Sequence, residues 1–141
     1  MDLTRRQTMM LGLGAAIAAT LPRSAMADMD AVAEAIKAFT GGAEVATGGV
    51  DIGAPEIAEN GNTVPIEVSA DGAASIMILA AGNPLPGVAT FNFGPLAASR
   101  SGSTRIRLAK SQDIIAVAKM EDGTFRKTSA AVKVTIGGCG G

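Results

Sequence analysis

Cys139 is the single thiol of this 141-residue chain, and it stands in Thr135-Ile136-Gly137-Gly138-Cys139-Gly140-Gly141 with two glycines on each side. A cysteine acts chemically through its thiolate, as a nucleophile or as the point of a covalent bond to another sulfur. Glycine brings neither a packing group nor a restricted backbone, so Gly137, Gly138, Gly140 and Gly141 are expected to form a flexible arm with Cys139 inside it. At about 3.3 to 3.6 Å per residue, three steps from Ile136 carry the sulfur roughly 10 Å past the last packed residue. Such a thiol can enter a narrow channel in another protein, because no neighbouring side chain blocks it. Nothing adjacent in sequence activates it: no Lys, Arg or helix start adjoins it, and the chain-end carboxylate two residues on disfavours the thiolate. Activation or oxidation must then come from a partner, and the residues favour a group carried from enzyme to enzyme through sulfur.

Other chemistries are poorly supplied. The chain has no histidine, which removes the commonest general base, the commonest transition-metal ligand and every Ser-His-Asp or Cys-His arrangement. One cysteine and no histidine leave too few soft ligands for a zinc, copper or iron-sulfur site within one chain, so no metal and no resident cofactor are expected. Asp51, Glu56, Glu59 and Glu67, and then Asp113, Glu121 and Asp122, read as solvated loop and turn residues rather than as an acid-base pair in a cleft. Arg105 and Arg107 read as the exposed face of a strand, an anion- or partner-binding role being the less favoured alternative. Gly48-Gly49 and the stretch 82–87 are turns rather than phosphate cradles, since neither a helix start nor a Lys-Ser/Thr pair follows. The expected protein is not an enzyme and has no catalytic residues of its own.

Before the elements that position Cys139 comes a segment read as a leader. Arg5 and Arg6, the apolar run Met9 to Leu21 and then Ala25-Met26-Ala27 are the basic, apolar and small-residue parts of an export signal, with cleavage expected after Ala27. The pair Arg5-Arg6 after Thr4, and the weakly apolar Gly- and Ala-rich run behind it, resemble a twin-arginine (Tat) signal. That run is too short for the roughly 20 residues of a membrane-spanning helix, so no membrane segment is expected. Removal of residues 1–27 leaves nine basic and twelve acidic side chains. This balance gives no electrostatic footprint for nucleic acid, and four Phe with no Trp or Tyr give little to stack on bases. Export places the chain in the periplasm, an oxidising compartment where one cysteine cannot form an internal disulfide. It must be modified, bonded between chains, or working.

From Asp28 to Thr40, Met29, Val32, Ala33, Ile36 and Phe39 recur at three- and four-residue spacing. They predict one amphipathic helix, with Asp28 or Asp30 able to cap its start and Gly41-Gly42 ending it. Beyond Gly42 the period changes to two. Val64 to Val68, Ser75 to Ala81, Val88 to Phe93, Thr104 to Leu108, Ile114 to Met120 and Phe125 to Ile136 read as strands. Ser75 to Ala81 is apolar enough to be buried on both faces, and Glu121-Asp122-Gly123 is a hairpin turn. Six or seven short strands in about 100 residues predict a mostly β fold, an immunoglobulin-like antiparallel β-sandwich with one short N-terminal helix; a small closed barrel has the same periodicity. The expected organisation is a leader, 1–27, a helix-plus-sandwich domain, 28–136, and a carrier arm, 137–141.

The export signal, the short helix, the immunoglobulin-like stretch and the terminal Gly137-Gly138-Cys139-Gly140-Gly141 together resemble the SoxY family, the sulfur-carrying subunits of the bacterial thiosulfate-oxidising system. The resemblance implies that sulfur intermediates are held covalently on Cys139. Thiosulfate would be coupled to it oxidatively by the SoxXA c-type cytochrome complex, sulfate released by the SoxB hydrolase, and the remaining sulfane oxidised by the SoxCD dehydrogenase. It also implies a heterodimer with SoxZ, itself immunoglobulin-like. The alternative is an exported structural sandwich dimerised by an interchain Cys139 disulfide. Strand Phe91–Phe93, strand Ser75–Ala81 and the helix stripe are the candidate partner surfaces, each more commonly core.

Overall fold

The computed structural model of the protein describes residues 24–136. These residues run through one helix, α1 (Ser24–Thr40), and nine strands: β1 (Val45–Thr47), β2 (Asp51–Gly53), β3 (Ile57–Ala58), β4 (Val64–Ser69), β5 (Ala73–Ala80), β6 (Gly87–Asn92), β7 (Ser101–Ile106), β8 (Gln112–Met120) and β9 (Phe125–Val134). One sheet has the order β1-β9-β8-β5-β6, with β3 also paired to β9, and the other has the order β2-β4-β7. Two separate sheets make the fold a sandwich rather than a barrel, as the mostly β immunoglobulin-like expectation requires. Within it two short pairings are parallel, both on β9: β1 along Phe125–Lys127 and β3 along Lys133–Val134.

The alternation read in β4 builds the interior. Val64, Ile66 and Val68 are buried while Pro65 and Glu67 face water. They pack on Ile76 and Ile78 of β5, Ile114, Ala116 and Ala118 of β8 and Val132 of β9. β5 is buried on both faces as expected, and α1 is the reason. Met77 and Leu79 point out of the sandwich, where with Val117 they meet Val32 and, at the margin, Ala35, Ile36 and Phe39 of the helix. Of the helix stripe, Val32, Ile36 and Phe39 are therefore core, while Ala33 is exposed and Met29 is 68% exposed. Phe39 closes the contact edge-on against Phe125, with ring centroids 6.0 Å apart.

Both ends of α1 differ in how far sequence anticipates them. The C-terminal end is as expected: Gly41 and Gly42 take φ of 67° and 85°, and the Gly42 amide reaches back to the Lys37 carbonyl at 3.2 Å, the five-residue closure that glycine permits after a helix. At the other end the helix begins at Ser24, so neither Asp28 nor Asp30 caps it. Ala25, Met26 and Ala27 are strong helix formers and carry the helix through the residues read as the end of a leader; the expected cleavage point after Ala27 falls within it. The other corrections concern strands. β1, β2 and β3 are two or three residues long, too short to show a period. The strand expected at Thr104–Leu108 lies at Ser101–Ile106 instead, because Ser101, Gly102 and Ser103 pair with Ser69, Val68 and Glu67 of β4 although none of them is apolar.

Candidate functional site

The Cys139 thiol and its flanking Gly137, Gly138, Gly140 and Gly141 lie outside the described residues, as do Arg5 and Arg6. What the structure defines is how the chain is held up to Ile136, the residue before Gly137. β9 is bonded on both edges to its last residues. On one edge the Lys133 amide donates to the Glu56 carbonyl at 2.9 Å and the Thr135 amide to the Ala58 carbonyl at 3.0 Å, while the Thr135 hydroxyl donates to the Glu59 carbonyl at 3.0 Å. On the other edge the Val134 amide donates to the Ser111 Oγ at 2.8 Å.

The final tie is made by Gly61. Its amide donates to the Ile136 carbonyl at 2.8 Å, and its own carbonyl accepts from the Leu108 amide, also at 2.8 Å. Gly61 lies in the turn before β4 and is itself buried, wedged between two backbones. A Cβ there would stand 2.5 Å from the Leu108 carbonyl oxygen and 2.9 Å from that of Ile136, so no other residue fits without moving one of them. Ile136 is 59% exposed and Leu108 wholly buried, so this turn joins the interior directly to the last described residue.

Two more loops are tied into the same end. Asn83 Nδ2 donates to the Arg107 carbonyl at 2.7 Å, and its Oδ1 accepts from the Ala109 amide at 2.9 Å and from Gln112 Nε2 at 2.9 Å. Gln112 Oε1 in turn accepts from the Gly82 amide at 2.8 Å. The 82–87 and 107–112 loops thus form one polar-stapled unit that also carries Ser111, and Lys110 Nζ reaches Asp28 Oδ2 of α1 at 3.5 Å. Against this unit lies a shallow groove of about 260 Å³ lined by Asn83, Pro84, Leu85, Arg107 and Ala109, with Leu85 81% exposed. Neither Asn83 nor Gln112 stands out in sequence, since an amide in a loop is unremarkable until its partners are known.

The remaining sequence candidates fall as ordinary surface. Arg105 and Arg107 are exposed while Ile106 and Leu108 are buried, and Arg105 sits opposite Pro65 on the outer face of the small sheet. Asp51, Glu56, Glu59, Glu67, Asp113, Glu121 and Asp122 are all exposed and are not gathered in one cleft. At Asp122 the Thr124 hydroxyl and amide, at 2.6 and 2.9 Å from its Oδ1, hold the carboxyl below the usual carboxylate range. Glu121 is paired with Arg100 at 2.6 Å. Of the three candidate partner surfaces, the Ser75–Ala81 strand is core on both faces. Phe91 and Phe93 are half-buried at the sandwich margin. Among the described residues no helix is long and apolar enough to cross a membrane.

A helix-backed immunoglobulin-like sandwich, bonded to the end of its last strand and followed in sequence by Gly-Gly-Cys-Gly-Gly, defines a small, mostly β protein. The chain belongs to the SoxY family: the family's sequence model, described as Sulfur oxidation protein SoxY, matches residues 36–139. The structure of the sulfur carrier protein SoxY from Chlorobium limicola f thiosulfatophilum superposes with a TM-score of 0.71 at 32% identity, covering 80% of this chain and all of that one. A superoxide reductase (neelaredoxin) from Ignicoccus hospitalis matches with a TM-score of 0.57 at 16% identity, over 64% of this chain and 94% of its own. A putative superoxide reductase from Thermotoga maritima gives 0.52 at 19%, over 68% and 89%. These two likenesses are of fold alone. Comparison with curated protein sequences gave no match.

Proposed function

We propose that this chain is a periplasmic carrier that holds sulfur intermediates covalently on Cys139 and presents them to the enzymes of a thiosulfate-oxidising system. The observation that carries the reading is positional. The fold is hydrogen-bonded through Ile136, the next residues are Gly-Gly-Cys-Gly-Gly, and the family match extends to residue 139, the cysteine itself. A thiol three glycine-rich steps past a rigid base can be inserted into an enzyme while the sandwich stays outside.

Loading joins the Cys139 sulfur to the sulfane sulfur of thiosulfate. One sulfur–sulfur bond forms, the thiol proton is lost, and two electrons leave to the c-type cytochrome, SoxXA on this reading. Water then cleaves the outer sulfur–sulfur bond in the hydrolase SoxB, releasing sulfate and protons and leaving a persulfide on Cys139. SoxCD would oxidise that outer sulfur to the sulfonate level, taking oxygen from water and passing the electrons on, and a second hydrolysis would return the free thiol. The chain supplies the sulfur anchor and its delivery and none of the bond-breaking, so it is a substrate carrier and not an enzyme. It works with SoxZ as its heterodimer partner, after export through the twin-arginine route and cleavage behind Ala27.

Intact-mass measurement of the protein isolated from thiosulfate-grown cells tests this. Thiosulfonate or persulfide adducts on Cys139, absent from a Cys139→Ser variant that folds normally, are expected. A mass equal to the bare chain, or to two chains joined and separable by reductant with no sulfur adduct, would favour the structural disulfide instead.

A further inference from the structure

The bonds at the end of β9 lie where a strand has no packing reason to stay paired. Val132 is the last fully buried residue of β9; Lys133, Thr135 and Ile136 are exposed and Val134 is half-buried. Strand ends of this kind fray, because little apolar area offsets the conformational entropy of ordering them. Here four successive residues are instead each tied: Lys133 to Glu56, Val134 to Ser111, Thr135 to Ala58 and Glu59, and Ile136 to Gly61. The outermost tie is also the most demanding sterically. Gly61 touches the backbones of Leu108 and Ile136 so closely that only a residue without a Cβ can make both bonds.

We propose that Gly61 is a positioning residue for the carrier arm: by holding the Ile136 carbonyl it sets the pivot at Ile136 and so fixes the tether to Cys139 at its shortest length. This rests on the carrier reading above. With the pivot at Ile136 the thiol has three residues of tether, whereas fraying back to Val132 would give it seven. The effective concentration of a tethered group falls roughly as the −3/2 power of tether length once the span is reached. Complete fraying therefore dilutes the thiol up to about fourfold at a docked active site. Residues 56–61 and Ser111 act on the arm without touching the cargo, through the strand that bears it.

The test is a pulsed electron-resonance distance measurement with nitroxides on Cys139 and on Thr90→Cys, an exposed position in β6. It is paired with titration of the unlabelled carrier, without the Thr90 change, into purified sulfur-oxidising enzymes. Gly61→Ala is expected to broaden the distance distribution and to raise the half-saturating carrier concentration about two- to fourfold, with kcat unchanged. Asn62→Ala, in the same turn but away from Ile136, should leave both as in the parent. If Gly61→Ala does not fold, hydrogen exchange in the wild type decides the matter: the Gly61 amide, bonded to the Ile136 carbonyl, is expected to be protected like the interior of β9, and exchange at the rate of a free peptide overturns the proposal. An unchanged distance distribution in the folded variant, or a fall in kcat with KM constant, overturns the proposal. Absence of any sulfur adduct on wild-type Cys139 would defeat the carrier reading instead, and the nitroxide distances would still decide where the arm pivots.

Discussion

The ring of Phe91 lies flat against the backbone of Gly102, so close that a Cβ on residue 102 would stand 2.6 Å from its Cδ1 and 2.7 Å from its Cγ. Phe91 belongs to β6, the edge of the large sheet, and Gly102 to β7, the edge of the small one. The missing side chain on β7 is thus the space that the aromatic ring on β6 fills, and the two edge strands meet there.

Gly102→Ala should therefore cost about 1–3 kcal/mol, the usual penalty for overpacking, seen as a lowered urea midpoint with unchanged slope. The double variant Gly102→Ala/Phe91→Leu should lose less than the sum of the two single changes, because the smaller residue yields the space. Additive losses would mean that the ring moves aside freely.

Leu79 is wholly buried between the large sheet and α1. Leu79→Ala is expected to destabilise the protein by about 2–5 kcal/mol. Hydrogen exchange should show the helix amides losing protection ahead of those in β4, which packs on the other side of the sheet. A loss spread evenly over both layers would show that the helix is not a separate unit of the core.

Asp122 in the β8–β9 turn accepts both Thr124 bonds, and its carboxyl is held low by them and, to a lesser degree, by Arg126. A depressed folded-state pKa stabilises above the unfolded-state value, and the gain is lost as pH falls through the folded one. The residue is fully exposed, so the effect is small. The difference between wild type and Asp122→Asn in urea midpoint should be greatest near neutral pH and vanish on acidification below the carboxylate range. A difference independent of pH would assign the turn to Gly123, whose φ of 86° it also needs.

If the Cys139 thiol is neither buried nor activated by its own chain, iodoacetamide should alkylate it at nearly the rate of a free Gly-Gly-Cys-Gly-Gly peptide, with the same pH dependence. A rate at least tenfold slower would show the thiol shielded by the sandwich. A markedly faster one would show that some residue of the chain lowers its pKa.

Much of the fold could be read from local pattern. The helix stripe, the Gly41-Gly42 stop, the alternation of β4, the two-sided burial of β5 and the Asp122-Gly123 hairpin each depend on residues within a few positions of one another, where period and turn chemistry act directly. The missed features are those made across the chain. β7 shifted toward Ser101 because pairing with β4, not its own hydropathy, keeps Ser101 to Ser103 in a strand. β1 and β3 exist only because β9 offers them an edge. The staple between Asn83 and Gln112 joins residues 29 positions apart and leaves no local trace.

For the candidate site the division is sharper. By itself the sequence determined that the one thiol is flanked by glycine alone, since the absence of neighbouring side chains is a property of residue type. It could not say how the chain is held as far as Ile136. That was decided by hydrogen bonds between segments as far apart as Ala58 and Thr135, 77 positions in sequence, and by the room at Gly61 for two backbones to meet, which arise only when the chain has closed on itself.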